Sequence, residues 1–266
     1  MTDTTSDRWA AGDAYDGYMG RWSRQIAEQF VQWLQPESAA HWLEVGCGTG
    51  ALTSTICKCY APASIVACDQ SPPFVKHAQA KLQHPAASFV VAAADTLPTR
   101  EGGFDMIVSG LVLNFIAETD AALAAMRRRV RPAGVIAAYI WDYAGGLEFL
   151  RYFWQQVTTL DPRAKPLDES HRFAPWTEAF LTTCFRAAGL VDVQSTQLTV
   201  PTTFANFQDY WTPFLGATGP APSYVASLAP PQQVVLAQRL RSSLPSSADG
   251  TIRLQARALA VRGAQP

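Results

Sequence analysis

The sequence predicts an α/β fold organised on a parallel sheet, and three observations carry the prediction. Residues 42–50, WLEVGCGTG, run from a short apolar stretch into a glycine-rich turn, and the helical pattern ALTSTIC follows. Only glycine lets backbone approach a ligand closely at such a turn. Further short apolar runs, SIVACD (64–69), ASFVVAA (87–93), GGFDMIVSGLVLNFI (102–116) and RPAGVIAAYIW (131–141), recur with helix-length stretches between them, as βα units require. After these five, VDVQSTQLTV (191–200) and IRLQARALAVRG (252–263) alternate apolar and polar residues as two half-buried strands.

Length and composition bound the answer. At 266 residues, with 48% hydrophobic and 16% charged residues, the chain is long enough for a single large domain, 1–266, with a well-buried core. A net charge of −1 argues against a nucleic-acid partner or an anionic membrane surface and points to a small-molecule partner. The start, MTDTTSDRWA, is polar and acidic, unlike a secretory signal or a transit peptide. No apolar stretch approaches the roughly 20 residues of a membrane helix. Five cysteines without framework spacing fit a reducing, cytoplasmic setting. Cys57 and Cys59 point to different sides of a helix, so no metal is expected there. The expected assembly is a monomer or a homodimer.

Taken in order, residues 1–14 read as a mobile tail and 15–40 as an N-terminal arm and helix. Trp22, Ile26, Phe30 and Trp33 or Leu34 recur at helical spacing up to a stop at Pro36. Ser71 before Pro72 and Pro73 reads as an N-cap opening a helix to about Gln83. The fully apolar fourth run suits a central parallel strand. A helix over about 119–130 carries Arg127, Arg128 and Arg129 in its last turn, with Arg131 beyond. The helix dipole favours cations there, and they are expected to face solvent. WTEAFLTTCFRAAG (176–189) reads as an amphipathic helix closed by a glycine. Segments 142–174 and 203–248 are insertions rich in aromatics, which would expose too much apolar surface if they stood free. They are expected to cap the substrate pocket at the carboxyl end of the sheet, part of their rings forming cap core and part lining an apolar or aromatic site.

The glycines alone fit two ligands. Gly46, Gly48 and Ala51 satisfy GxGxxG/A, and Asp69 stands where a carboxylate meets a ribose, so an NAD(P)-dependent oxidoreductase has to be weighed. Glu44 favours the other ligand: it could accept from a cationic ammonium and would repel a pyrophosphate on the same amides. With that acid in place, the stretch resembles motif I of class I S-adenosylmethionine-dependent methyltransferases, an acidic residue followed by VGCGTG. The resemblance covers about residues 41–141 and extends to the ubiquinone/menaquinone-biosynthesis-like small-molecule enzymes. RPAG matches their RPGG turn with Ala133 in place of the first glycine.

That resemblance implies a Rossmann-like, seven-stranded, mostly parallel sheet whose last strand is antiparallel, with S-adenosylmethionine as cofactor and S-adenosylhomocysteine as product. It implies cofactor contacts from Glu44, Gly46, Cys47, Gly48, Thr49 and Gly50, and from Asp69 and Gln70 at the ribose. It further implies Asp95, Thr96 and Leu97 at the adenine, and Ser109 and Gly110 at the end of the fourth strand. The segment before motif I often folds over the methionine end of the cofactor in this family. Tyr18 and Arg21 are therefore expected there, Arg21 offering a fork to the α-carboxylate. Asp95 separates the two readings best, because a dehydrogenase needs no acid at that position.

Methyl transfer from a sulfonium is an in-line displacement in which the enzyme holds donor and nucleophile and excludes water. Asn114, Trp141, Tyr210 and Trp211 are the candidate substrate contacts. A phenol or hydroxyl acceptor would call for a base, and His171, Asp142 and Tyr139 are the candidates, none with a motif behind it. A non-catalytic S-adenosylmethionine-binding protein is the third alternative.

Overall fold

The computed structural model of the chain describes residues 19–216 and 219–266. The tail over 1–14 and the candidate Tyr18 lie outside the described residues. The elements are α1 (Arg21–Leu34), β1 (His41–Val45), α2 (Ala51–Tyr60), β2 (Ser64–Asp69), α3 (Pro72–Lys81), β3 (Ala87–Val91), β4 (Phe104–Gly110), α4 (Thr119–Arg127) and β5 (Val130–Trp141). They continue with α5 (Glu148–Leu160), α6 (Glu169–Arg172), α7 (Glu178–Ala187), β6 (Val191–Phe204), α8 (Phe207–Trp211), α9 (Pro220–Ser227), α10 (Pro230–Ser243) and β7 (Ile252–Ala264).

The seven strands form a single sheet in the order β3-β2-β1-β4-β5-β7-β6. Strands β1 to β5 pair in parallel, and β7 runs antiparallel to β5, giving the expected Rossmann-like class with a reversed strand at the end. The helices between the parallel strands supply the crossovers that parallel pairing requires. By packing, the chain falls into two compact units: one of 22–141, 175–198 and 258–266, the other of 142–174 and 199–257 with residues 19–21.

In the first unit, α1 buries Trp22, Ile26, Phe30 and Leu34, the i, i+4 stripe the sequence spells out, at about 1.5–3 kcal/mol for each large apolar side chain. Phe30 packs on the Tyr139 ring of β5 with centroids 4.5 Å apart. The Arg262 guanidinium of β7 donates to the carbonyls of Trp33 and Leu34 and lies over the Trp33 ring, satisfying carbonyls that the end of α1 leaves open. On the other face of the sheet, Ile107, Ile136, Ala138 and Ile140 join Leu123 and Met126 of α4 and Leu181 and Phe185 of α7 in one core.

Several local expectations are corrected. Ser71 makes no side-chain cap, and α3 ends at Lys81; the third strand stops at Val91. The arginines at and just beyond the end of α4 serve as struts, and of the four Arg128 alone is exposed. Arg127 donates to the Ala188 carbonyl and to Gln265, Arg129 to the Leu97 carbonyl and Arg131 to Asp105. Long guanidinium side chains reach unpaired carbonyls that a sequence pattern does not reveal. Ala133, standing where the resembled turn has glycine, takes φ 59°, a left-handed conformation that costs an L-residue about 1–2 kcal/mol.

The second unit has its own aromatic core. Phe153 of α5 stacks on Phe214 at 4.6 Å and 3°, and Tyr210 meets Phe204 edge-on at 5.2 Å. Among the described residues no helix is long and apolar enough to cross a membrane.

Candidate functional site

The strand register aligns the carboxyl ends of the parallel strands in the first unit. Val45 pairs with Cys68, Asp69 with Val91, and Glu44 with Val108. The glycine turn after β1, Asp69 closing β2, and Ser109 with Gly110 closing β4 are therefore neighbours, and Asp95 follows four residues after β3. This is the edge at which open α/β sheets bind ligands.

The turn is tied down by its own amides. Gly46 and Cys47 N–H both donate to the Cys68 carbonyl, at 2.7 and 2.9 Å, and Gly50 N–H donates to the Cys47 carbonyl at 2.8 Å. Gly48 N–H donates to Asp69 Oδ2 at 3.0 Å, while Asp69 Oδ1 accepts from Ser71 N–H at 2.9 Å. One carboxylate thus braces the turn against the head of α3. A pyrophosphate cradle would aim these amides at the ligand; here four are used inside the protein, one of them on an anion that would repel phosphate.

The three glycines differ in what they make room for. A Cβ at Gly46 would fall 2.6 Å from Val112 Cγ1, and one at Gly50 would fall 3.3 Å from Ala78 Cβ. At Gly48, with φ 51°, no atom of a described residue other than Gly48 and its two chain neighbours lies within 4 Å of that position. Among the described residues Gly48 thus presents bare backbone, the flank a closely approaching ligand needs.

Glu44 is 2% exposed, and the Thr53 hydroxyl of α2 donates to its Oε2. Burial pushes its carboxyl up to about 8, opposed by the Thr53 hydrogen bond and reinforced by the Asp69 charge. The remaining turn residues, Cys47 and Thr49, are buried. Gln70, Asp95 and Thr96 are exposed, and Leu97 is core. Thr96 N–H, at the position expected to meet the adenine, donates to the Ala93 carbonyl at 3.1 Å.

Other candidates have firm structural partners. Gly110, expected to leave room for a ligand, makes it for Tyr139: a Cβ there would meet the phenol oxygen at 2.7 Å. Tyr139 itself is 1% exposed, with no open approach for an acceptor. Ser109 Oγ, both amide atoms of Asn114 and Trp141 Nε1 are buried without a hydrogen-bond partner among the described residues. Unpaired buried polar atoms are costly, and these lie at or just beyond the carboxyl ends of β4 and β5.

The remaining candidates belong to the second unit. The Arg21 fork spans both oxygens of Asp209, at 2.8 and 3.2 Å, and lies over the Phe204 ring. Asp142 is buried and takes Arg257 Nε at 2.8 Å and Nη2 at 2.5 Å; Gly146 fits between the Cβ atoms of this pair. His171 is exposed on the one-turn α6. Tyr210, whose hydroxyl donates to the Phe149 carbonyl at 2.8 Å, and Trp211 are core. Sequence reasoning missed Thr53, Val112, Asp209, Arg257 and the buried Glu169, which accepts from the Trp154 indole. The Asp209 and Arg257 pairings span 188 and 115 residues, so no local spacing signals them. Cys57 is buried and Cys59 exposed; among the described residues no cluster of three or more His, Cys, Asp or Glu is placed to hold a metal.

Residues 43–138 match the family model described as "Methyltransferase domain". A malonyl-[acyl-carrier protein] O-methyltransferase of Pseudescherichia vulneris is 31% identical over 147 residues, 55% of this chain and 56% of that protein. A thiol S-methyltransferase of Homo sapiens is 34% identical over 155 residues, 56% of this chain and 60% of that protein. The chain thus spans a little over half the length of these two curated relatives. Phosphoethanolamine N-methyltransferase 2 of Haemonchus contortus, solved with phosphomonomethylethanolamine and S-adenosylhomocysteine, superposes with a TM-score of 0.57 at 13% identity, over 95% of this chain and 56% of that one; that likeness is one of fold.

Proposed function

We propose that this protein, whose core over residues 43–138 belongs to the class I S-adenosylmethionine-dependent methyltransferases, transfers the sulfonium methyl group of that cofactor to a small apolar or aromatic acceptor. The observation that carries the reading is the open flank of Gly48 beside the Asp69 carboxylate. The cofactor would lie there, its ribose hydroxyls donating to Asp69 and its adenine amine to Asp95, with Glu44 facing the amino-acid end. The backbone around Thr49, Gln70, Thr96 and Ser109 would complete the cradle. When bound, the cofactor supplies an electrophilic methyl group, and the chain's part is to hold it in line with the nucleophile and to keep water out.

Asn114 and Trp141 fit acceptor contacts, because their polar side-chain atoms are buried and have no hydrogen-bond partner among the described residues. Asp142 is held by Arg257 and Tyr139 is enclosed, which supports an acceptor needing little help from a base. The insertions 142–174 and 203–248 are read as the substrate cap, with their internal rings as its core. The internal use of the turn amides weighs against the dinucleotide alternative. A cytoplasmic protein acting as a monomer or homodimer completes the proposal.

The experiment is methyl transfer from deuteromethyl-labelled S-adenosylmethionine to a panel of thiols, carboxylates, phenols and amines, read by mass spectrometry. A labelled product is expected in at least one class. Tight cofactor binding with no S-adenosylhomocysteine formed on any acceptor would favour a non-catalytic binding protein instead.

A further inference from the structure

We propose that cofactor binding in this protein is coupled to the loss of one proton from Glu44, a neutral acid hydrogen-bonded to Thr53 when the site is empty and an anion when a ligand's ammonium group lies against the glycine turn. The proposal rests on the reading of Gly46–Gly50 as the S-adenosylmethionine site.

The geometry gives Glu44 little to stabilise a charge. Its neighbours in the sheet register are Ala67 of β2 and Val108 of β4, both apolar, and it is 2% exposed. Its hydrogen-bond partners are the hydroxyl and the backbone amide of Thr53 in α2, which oppose the effect of burial without outweighing it. The titratable groups facing it are the Asp69 carboxylate of β2 and the thiols of Cys47 in the turn, Cys68 of β2 and Cys57 of α2. Every one of these is an acid, and no cation offsets them among the described residues. Burial and the Glu44 charge together push the Cys57 thiol up to about 11, so the region resists negative charge in general. A buried carboxylate facing only acids takes up a proton. A ligand ammonium supplies the missing cation: the carboxyl O–H bond breaks, the electron pair stays on the carboxylate, and the proton passes to bulk buffer.

The test is calorimetry on the full chain at pH 6.5 and 8 in two buffers of different ionisation enthalpy, which counts protons released per ligand bound. The probes are S-adenosylhomocysteine, whose α-amino group is an ammonium at pH 6.5, and 5′-methylthioadenosine, which lacks the amino-acid end. Close to one proton (~1) per S-adenosylhomocysteine is expected at pH 6.5 and a much smaller net release at pH 8, where Glu44 is already partly ionised and the free ligand amine partly deprotonated, with affinity rising roughly tenfold from pH 6 to 7. 5′-Methylthioadenosine should bind without that release. Glu44→Gln, which preserves the neutral form and the Thr53 contact, should bind S-adenosylhomocysteine with no proton release and a flat pH profile. Binding by the wild-type chain without release, equal release with 5′-methylthioadenosine, or undiminished release by Glu44→Gln would each overturn the proposal. Absence of any binding of either nucleoside would refute the site reading itself, and the coupling with it. Should Glu44→Gln fail to fold, the contrast between the two probes on the wild-type chain decides the matter.

Discussion

Replacing Asp69 with asparagine separates its two jobs. In the structure its oxygens accept from Gly48 N–H at 3.0 Å and from Ser71 N–H at 2.9 Å. Asparagine keeps one acceptor and turns an amide donor toward the other N–H. A hydrogen bond to a charged group contributes about 1.5–3 kcal/mol, and Asp69 is only half-buried, so the lower end applies. The folded state should lose about 1.5 kcal/mol, read as a lower urea midpoint with unchanged slope. If the same carboxylate also accepts from a ribose hydroxyl pair, S-adenosylhomocysteine affinity should fall by a further factor of roughly 5 to 150, equivalent to about 1–3 kcal/mol, measured by calorimetry below the unfolding transition. A variant with wild-type urea midpoint would refute the bracing role. One that is destabilised yet binds the nucleoside normally would show that Asp69 braces the turn and does not touch the ligand.

Two further outcomes concern the fold. Ala133→Gly should stabilise the protein by about 0.5–1 kcal/mol, because the left-handed backbone at φ 59° suits glycine and the relief exceeds glycine's entropic cost. A rise in Tm of about 2 °C is the expected reading, and a fall would mean the turn is not strained. Glu169→Gln should flatten the pH dependence of stability. Burial raises the Glu169 carboxyl to about 8, so the wild-type contribution is complete below about pH 4.5 and is lost as the pH rises toward 8. Urea midpoints of wild type and variant that stay parallel across that window would refute this.

What the sequence disclosed was what repeats or sits close in the chain. The α1 stripe of Trp22, Ile26, Phe30 and Leu34, the strand at 64–69 and the glycine turn are periodic or contiguous, and local geometry follows from them. Glu44 stands two residues before the turn, and Asp69 closes the legible strand at 64–69, although its bond to Gly48 N–H spans 21 residues. What escaped depends on distance along the chain. Arg21 was expected to meet a ligand carboxylate and meets Asp209. Asp142 looked like a base and is the partner of Arg257. Tyr210 and Trp211 looked like site residues, yet their rings complete a core whose other members, Phe153 and Phe214, lie on separate elements. An aromatic cluster reads the same in sequence whether it lines a pocket or fills one. Gly110 shows the same ambiguity at atomic scale, because a missing Cβ can make space for a ligand or, as here, for a tyrosine.

Calorimetry of S-adenosylhomocysteine and NAD on wild type and Gly48→Ala is the most direct test. No atom of a described residue beyond the chain neighbours lies within 4 Å of a Cβ at Gly48, so the variant is expected to cost about 1–2 kcal/mol of backbone strain and to stay folded. Wild type should bind the nucleoside and give no heat with NAD, while Gly48→Ala loses at least about tenfold in affinity, some 1.4 kcal/mol. Unchanged binding by the variant, or NAD bound in place of the nucleoside, would contradict the account.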